Sequence, residues 1–127
     1  MDPIADFINT FKIASRTKKE SFLFPSSRFV AAIAQTLLRK GYVASVGKKG
    51  KKGRQLEITF PTQSTASRVL NVKRVSLLSK RLYRKASEIR PIRNGFGASI
   101  ISTPKGILTD NEAREANVGG EVLFEIW

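Results

Sequence analysis

Apolar residues recur at helical spacing in two segments of the first half of the chain. In residues 3–14 they occupy positions i, i+3, i+4 and i+7, as Ile4, Phe7, Ile8 and Phe11. This spacing predicts an amphipathic helix, with Asp2 as its N-cap and Pro3 at its first position. A second helix is expected between a capping serine, Ser26 or Ser27, and Gly41, a residue type that commonly ends helices.

Short apolar or alternating runs bounded by proline or glycine predict three strands around these helices. The runs are residues 21–24, 42–46 and 55–60, and the glycine-punctuated residues 47–53 join the last two as a hairpin loop. The first half therefore has the predicted order α-β-α-β-β. Small polar residues at 62–68 favour a linker at that point.

The second half is dominated by strand patterns. The predicted strands are 69–75, 82–85, 98–102, 107–108 and 121–126, with a hairpin turn at 103–106. Short helices are expected at 88–93 and from a capping box at Thr109 to about Ala116. We therefore predict an α+β fold with two small lobes, an N-terminal α/β lobe at 1–61 and a mostly β lobe with short helices at 69–127.

The last strand shows a regular alternation. Val122, Phe124 and Ile126 alternate with Glu121, Leu123 and Glu125. Successive side chains of a strand point to opposite faces, so the pattern predicts that the first three share a buried face.

The charge of the chain is large, positive and unevenly distributed. The 127 residues include 23 Lys and Arg against 10 Asp and Glu, a formal net charge of +13, while 41% hydrophobic residues are enough to bury a core. From Lys12 to Lys105 there are 22 basic and three acidic residues, whereas the rest of the chain has one basic and seven acidic residues. Such a strong and unevenly distributed positive charge favours binding to a polyanion. Inside a cell, nucleic acid is the first candidate for that polyanion.

The composition also excludes several kinds of chemistry. Without Cys or His, the chain lacks thiol nucleophiles, thiolate metal ligands and the usual neutral-pH general base. Asp110, Glu112 and Glu115 suggest a cation site or an acid/base pair, but charges that complement a helix start explain them better. We expect no catalytic activity, no metal, no cofactor and no small-molecule substrate.

The sequence has neither a signal-peptide pattern nor an apolar run near the roughly 20 residues of a membrane span. We therefore expect a soluble intracellular protein that does not contact membranes.

Two basic clusters are candidate contacts to nucleic acid. The first is the glycine-rich loop with Lys48, Lys49, Lys51, Lys52 and Arg54. Its glycines allow backbone and phosphate to approach, which suits sequence-independent binding. The alternative is a solvated loop that only protects a hairpin.

The second cluster surrounds an aromatic residue, Tyr83. Its members are Lys73, Arg74, Lys80, Arg81, Arg84 and Lys85, followed by Arg90 and Arg93. Such a cluster can hold phosphate while the ring stacks on an unpaired base or ribose. The alternative is a half-buried strand tyrosine with its hydroxyl in water.

The predicted hairpin turn carries two hydroxyls, Ser102 and Thr103, followed by Pro104 and Lys105. Hydroxyls at a hairpin tip can donate to ribose 2′-hydroxyls, phosphates and base edges in a shallow RNA minor groove. An ordinary Pro-Lys-Gly turn explains the same residues equally well.

Motifs along the whole chain occur in the order typical of one family. They are Asp2-Pro3-Ile4-Ala5-Asp6, Pro25-Ser26-Ser27, Gly41-Tyr42, Lys73-Arg74-Val75-Ser76, Tyr83, Asn94-Gly95-Phe96-Gly97, Ile100-Ile101-Ser102-Thr103-Pro104-Lys105-Gly106, Thr109-Asp110-Asn111-Glu112-Ala113 and Val118-Gly119-Gly120-Glu121-Val122-Leu123 with Trp127. In this respect the chain resembles the eighth protein of the bacterial-type small ribosomal subunit.

The resemblance implies a structural protein that binds the central domain of small-subunit rRNA early in assembly, mainly through its C-terminal lobe. Its partners would be that rRNA and neighbouring small-subunit proteins, on a bacterial-type cytoplasmic ribosome or an organellar one. The family's hydroxyl loop, which enters a distorted minor groove, falls on Ser102, Thr103, Pro104 and Lys105, with Pro104 where the family usually has a third hydroxyl.

The resemblance also implies that Tyr83 and Glu121 lie at or just behind the RNA surface. A carboxylate is tolerable there if it accepts hydrogen bonds from the hydroxyl loop or from base amino groups. The N-terminal helix, with Asp2, Pro3 and Lys12, is expected to contact a second RNA region, and its segment 10–13 keeps one of the family's usual two cations.

In this hypothesis the cations supply affinity through counterion release, while Ser102, Thr103 and Tyr83 select a local RNA shape. The main alternative is a free RNA or DNA chaperone without preference for rRNA. An enzyme is disfavoured by the absence of His and Cys.

Overall fold

The structure is a computed structural model that describes residues 3–61, 71–77, 79–92, 95 and 97–127. The chain divides into two compact units, Met1–Val69 and Leu70–Trp127, each built on its own antiparallel sheet. The predicted α+β class is confirmed. The predicted linker at 62–68 lies outside the described residues.

The N-terminal unit packs two helices against a three-stranded sheet of order β1-β3-β2. Its elements are α1 (Pro3–Arg16), β1 (Ser21–Pro25), α2 (Arg28–Lys40), β2 (Ser45–Lys49) and β3 (Gln55–Thr59). Their order is the predicted α-β-α-β-β. Aromatic rings fill the core between helix and sheet, and the ring centroids of Phe11 and Phe60 are 5.3 Å apart.

Both ends of α2 follow the capping signals in the sequence. Ser27 is the N-cap and accepts a hydrogen bond from the Val30 N–H at 3.1 Å. Gly41 ends the helix with φ +90°, a left-handed conformation that favours glycine. The Tyr42 N–H still bonds to the Leu37 carbonyl of the helix. Tyr42 is therefore part of the helix end, and the predicted strand start at residue 42 is wrong, since β2 begins at Ser45.

The C-terminal unit is a five-stranded sheet with β8 (Gly120–Ile126) in a central position. On one side β8 pairs with β6 (Ala98–Thr103), which in turn pairs with β7 (Gly106–Thr109). On its other side β8 pairs with β4 (Val72–Arg74) and β5 (Tyr83–Arg84).

Short helical segments accompany this sheet. The predicted capping box begins α3 (Asp110–Ala116), because the Thr109 and Glu112 side chains each accept the other's backbone N–H. A 3₁₀ turn occupies Ala86–Glu88. The helix predicted over 88–93 is wrong for its described residues, since 89–92 are not helical and Ile89 is already extended. Pro91 disfavours helical geometry at the residue before it.

Strand β8 contains a β-bulge. Its register pairs Phe124 with Ile100 but Val122 with Ile101, so Leu123 is an extra residue on β8. Val122 therefore turns to the opposite face from Phe124 and joins a core cluster with Ile89, Ile101 and Ala113. The predicted alternation, with Val122 and Phe124 on one face, is wrong at this point.

Candidate nucleic-acid interface

Three residues from different strands form one row across the C-terminal sheet. Glu121 on β8 lies directly opposite Tyr83 on β5 and directly opposite Ser102 on β6. Directly opposed residues of antiparallel strands share a face of the sheet, with Cβ atoms about 4.5–5.5 Å apart. Tyr83, Glu121 and Ser102 thus form a cross-strand row, although they are distant in sequence.

The Glu121 carboxylate is held by two side chains from the segment between β4 and β5. The Ser76 hydroxyl donates to Oε2 at 2.5 Å, and Arg81 Nη1 lies 3.1 Å from the same oxygen. Ser76 also accepts the Leu82 N–H at 3.1 Å. Glu121 therefore accepts hydrogen bonds from Ser76 and Arg81 and not from residues 102–105, and sequence reasoning missed the role of Ser76. The only signal was the family motif at residues 73–76.

The ring of Tyr83 is open to solvent. The residue is 64% exposed, so the alternative of a half-buried strand tyrosine is wrong.

The cations around Tyr83 differ in exposure. Arg74 is half-buried, and its Nε donates to the Ser76 carbonyl at 2.6 Å. Arg93 lies outside the described part of the chain. Neighbouring cations on the same segments are also exposed: Lys73, Lys80, Arg81, Arg84 and Lys85.

The two hydroxyls at the hairpin tip beside the row, those of Ser102 and Thr103, differ in their hydrogen bonds. Thr103 Oγ1 donates to the Gly106 carbonyl at 2.8 Å and accepts the Lys105 N–H at 3.1 Å. Its proton is thus committed to the turn. The half-buried Ser102 makes no side-chain hydrogen bond to another described residue, so its hydroxyl remains available as a donor. Pro104 and Lys105 are exposed at the tip.

The cations of the N-terminal unit lie at the end of the β2–β3 hairpin. Lys48 and Lys49 belong to β2 itself, while Lys51 and Lys52 lie in a 3₁₀ turn that precedes Arg54. All five side chains are exposed. Lys49 Nζ pairs with Glu57 at 3.0 Å, which leaves the other four cations as the stronger candidates for phosphate contact.

Helix α1 and the residue before it carry the remaining predicted contacts. Pro3 is exposed and Lys12 is half-buried on this helix. Asp2, predicted as an N-cap and RNA contact, lies outside the described residues.

The acidic residues near α3 have structural partners. Asp110 is 3% exposed, accepts the Ser99 N–H at 3.2 Å and pairs with Arg114 at 3.2 Å. Glu112 closes the capping box, so the helix-start interpretation is confirmed for both residues. Glu115 is exposed.

Across the described ranges, no helix combines the length and apolarity needed to span a membrane.

Comparison with known proteins gives one consistent result. The sequence pattern of the family described as ribosomal protein S8 matches residues 2–127. Small ribosomal subunit protein uS8 of Corynebacterium urealyticum is 41% identical over 131 aligned residues, and that of Mycoplasmopsis agalactiae is 39% identical over 127. The protein of the same name from Streptococcus equi subsp. zooepidemicus is 40% identical over 129. Each alignment covers 99% of this chain and 97% of the relative. This chain therefore belongs to the ribosomal protein S8 family.

Proposed function

We propose that this chain is a structural component of the small ribosomal subunit and binds the central domain of small-subunit rRNA during assembly. The relatives carry the name small ribosomal subunit protein. This name supports the proposal that the chain is a component of the small subunit. The observation that carries RNA binding is the cross-strand row of Tyr83, Glu121 and Ser102, which lies among exposed cations. Neighbouring small-subunit proteins are further partners, and the proposal includes no catalytic step, metal or cofactor.

Affinity and selectivity have different sources in this proposal. Exposed cations such as Lys73, Arg84, Lys85 and Lys105 contact phosphates and release counterions, which depends little on sequence. The row contributes a ring for stacking and two oxygen-bearing side chains that hydrogen-bond to ribose or base edges, which depends on RNA shape. The β2–β3 hairpin tip and α1 add contacts to the RNA backbone.

The test measures binding of the full chain to a central-domain rRNA fragment and to a generic RNA duplex of equal length. We expect a preference of about a hundredfold or more for the fragment, and a steep loss of affinity for both RNAs as salt rises. Equal affinity for the two RNAs would overturn the proposal in favour of a general nucleic-acid chaperone.

A pair of variants separates the two sources. Tyr83→Ala removes an exposed ring and is expected to weaken binding to the fragment more than to the duplex. Lys51→Glu with Lys52→Glu alters only backbone contacts and is expected to weaken both complexes by the same factor. A selective loss from the lysine variant, with none from Tyr83→Ala, would contradict this division.

A further inference from the structure

We infer that Ser76 is a positioning residue for RNA selection: its buried hydroxyl fixes the Glu121 carboxylate so that Oε1 is presented to hydrogen-bond donors of the RNA, either a ribose 2′-hydroxyl or a base amino group. This inference rests on the proposed function. It assigns a role to a side chain that does not itself reach the surface, since Ser76 is only 1% exposed.

Three hydrogen bonds fix Ser76 to two other segments of the C-terminal unit, strand β8 and the residue just before β5. Its N–H bonds to the carbonyl of Leu123, the bulge residue of β8, at 3.3 Å. Its hydroxyl accepts from the Leu82 N–H, just before β5, and donates to Glu121 on β8. The bond from Leu82 uses a lone pair of the hydroxyl, so its one proton is left for donation, and the acceptor-only Glu121 carboxylate receives it. The backbone N–H of Leu82 thus holds the hydroxyl oxygen in place while its proton bonds to Glu121.

The two oxygens of the Glu121 carboxylate are unequally occupied. Oε2 accepts from Ser76 at 2.5 Å and from Arg81 at 3.1 Å. Among the described residues, Oε1 has one longer contact, to the same Arg81 nitrogen at 3.4 Å. An ionised carboxylate has about four lone-pair sites, so Oε1 retains unused acceptor capacity. The Glu121 side chain is 14% exposed, which is enough for a small donor group to reach it.

A fixed carboxylate in a basic surface selects by what it rejects as well as by what it accepts. Phosphate oxygens are repelled by Glu121, whereas a 2′-hydroxyl or an amino group can donate to it. The exposed ring of Tyr83 and the available hydroxyl of Ser102 flank this acceptor in the row. An RNA must therefore place a donor group, and not its phosphate backbone, opposite Glu121.

The experiment is a double-mutant cycle read as the ratio of affinities for the central-domain fragment and the generic duplex. Ser76→Ala is expected to lower this ratio by about tenfold. In a Glu121→Gln background the same change is expected to have no further effect on the ratio. If Ser76→Ala lowers the ratio by the same factor in both backgrounds, its role is only structural and the inference is wrong.

Controls keep the outcomes distinct. Ser79→Ala makes the same chemical change at an exposed position of the same segment and is expected to leave the ratio unchanged. Should Ser76→Ala fail to fold by circular dichroism, Ser76→Cys supplies a thiol of similar size and weaker donor strength. We expect it to lower the ratio by a smaller factor. If folded Ser76→Ala or Ser76→Cys keeps the wild-type ratio of affinities, the inference about Ser76 is wrong while the proposed function stands. If the wild-type chain binds the fragment and the duplex equally well, the proposed function is wrong as well.

Discussion

At Gly120 the β6 and β8 backbones approach closely, and replacement of this residue tests the geometry of the row directly. A Cβ at Gly120 would lie 2.8 Å from the carbonyl carbon of Ser102 and 3.0 Å from Cα of Thr103, and closer still to the Ser102 carbonyl oxygen. All three are backbone atoms, so no side-chain rotation relieves the clash. Gly120→Ala must push β8 away from β6 beside Glu121.

The size of the effect follows from these distances. Ordinary contact begins near 3.4 Å, so the strands must separate by about 0.6 Å for the carbon alone and by more for the oxygen. Overpacking of this kind costs about 1–3 kcal/mol, and each weakened ladder hydrogen bond adds about 0.5–1.5 kcal/mol. We therefore expect Gly120→Ala to lower the free energy of unfolding by about 3 kcal/mol, a large part of the total of a small domain.

Urea denaturation followed by circular dichroism measures this loss, and Gly47→Ala is the matched control. Gly47 lies in β2 without a positive φ, and a methyl group on its Cα would have no other atom within 4 Å. Alanine there should be neutral or stabilising by about 0.4–1 kcal/mol. A loss below about 1 kcal/mol in Gly120→Ala, or equal losses in both variants, would refute the close-approach argument.

Three further outcomes are expected. Thr103→Val, which removes both turn hydrogen bonds of that hydroxyl, should lower the unfolding free energy by about 1–3 kcal/mol, whereas Thr103→Ser should stay near wild type in the same urea titration. Reversing Lys51 and Lys52 to Glu should reduce the slope of log affinity against log salt by about 0.9 per lost duplex phosphate contact. An unchanged slope would show that these lysines do not touch phosphate. Asp110→Ala, which strands the buried Ser99 N–H, should lower the thermal midpoint, while a midpoint equal to wild type would argue against a structural role for that carboxylate.

Local signals in the sequence were sufficient for α1, α2 and α3 and for most of the strands, but not for the short helix predicted at 88–93. The caps at Ser27, Gly41 and Thr109 depend on a few neighbouring residues, which is why their positions could be predicted. The start of β2 could not be predicted in this way, because Tyr42 has a strand-like side chain while its N–H remains bonded to α2. Here the hydrogen bond that closes the helix end overrides the strand pattern.

The candidate site was predictable in its members but not in its connections. Charge and family motifs pointed to Tyr83, Glu121 and Ser102, yet only the strand register places them in one row. Ser76 carries no charge and looks like an ordinary polar residue before β5. Its contact with Glu121 spans 45 positions of the chain, a separation that periodicity and spacing do not encode.

The extra residue at Leu123 sets a condition for moving this strand to another scaffold. If the same sequence paired regularly onward from Phe124, Val122 would turn to the face of Phe124 and Glu121 to the interior face of Ile101. That exchange would bury a carboxylate away from its donors, which is costly. A recipient sheet must therefore accommodate a bulge at this point, because a regular neighbour would turn the acid inward.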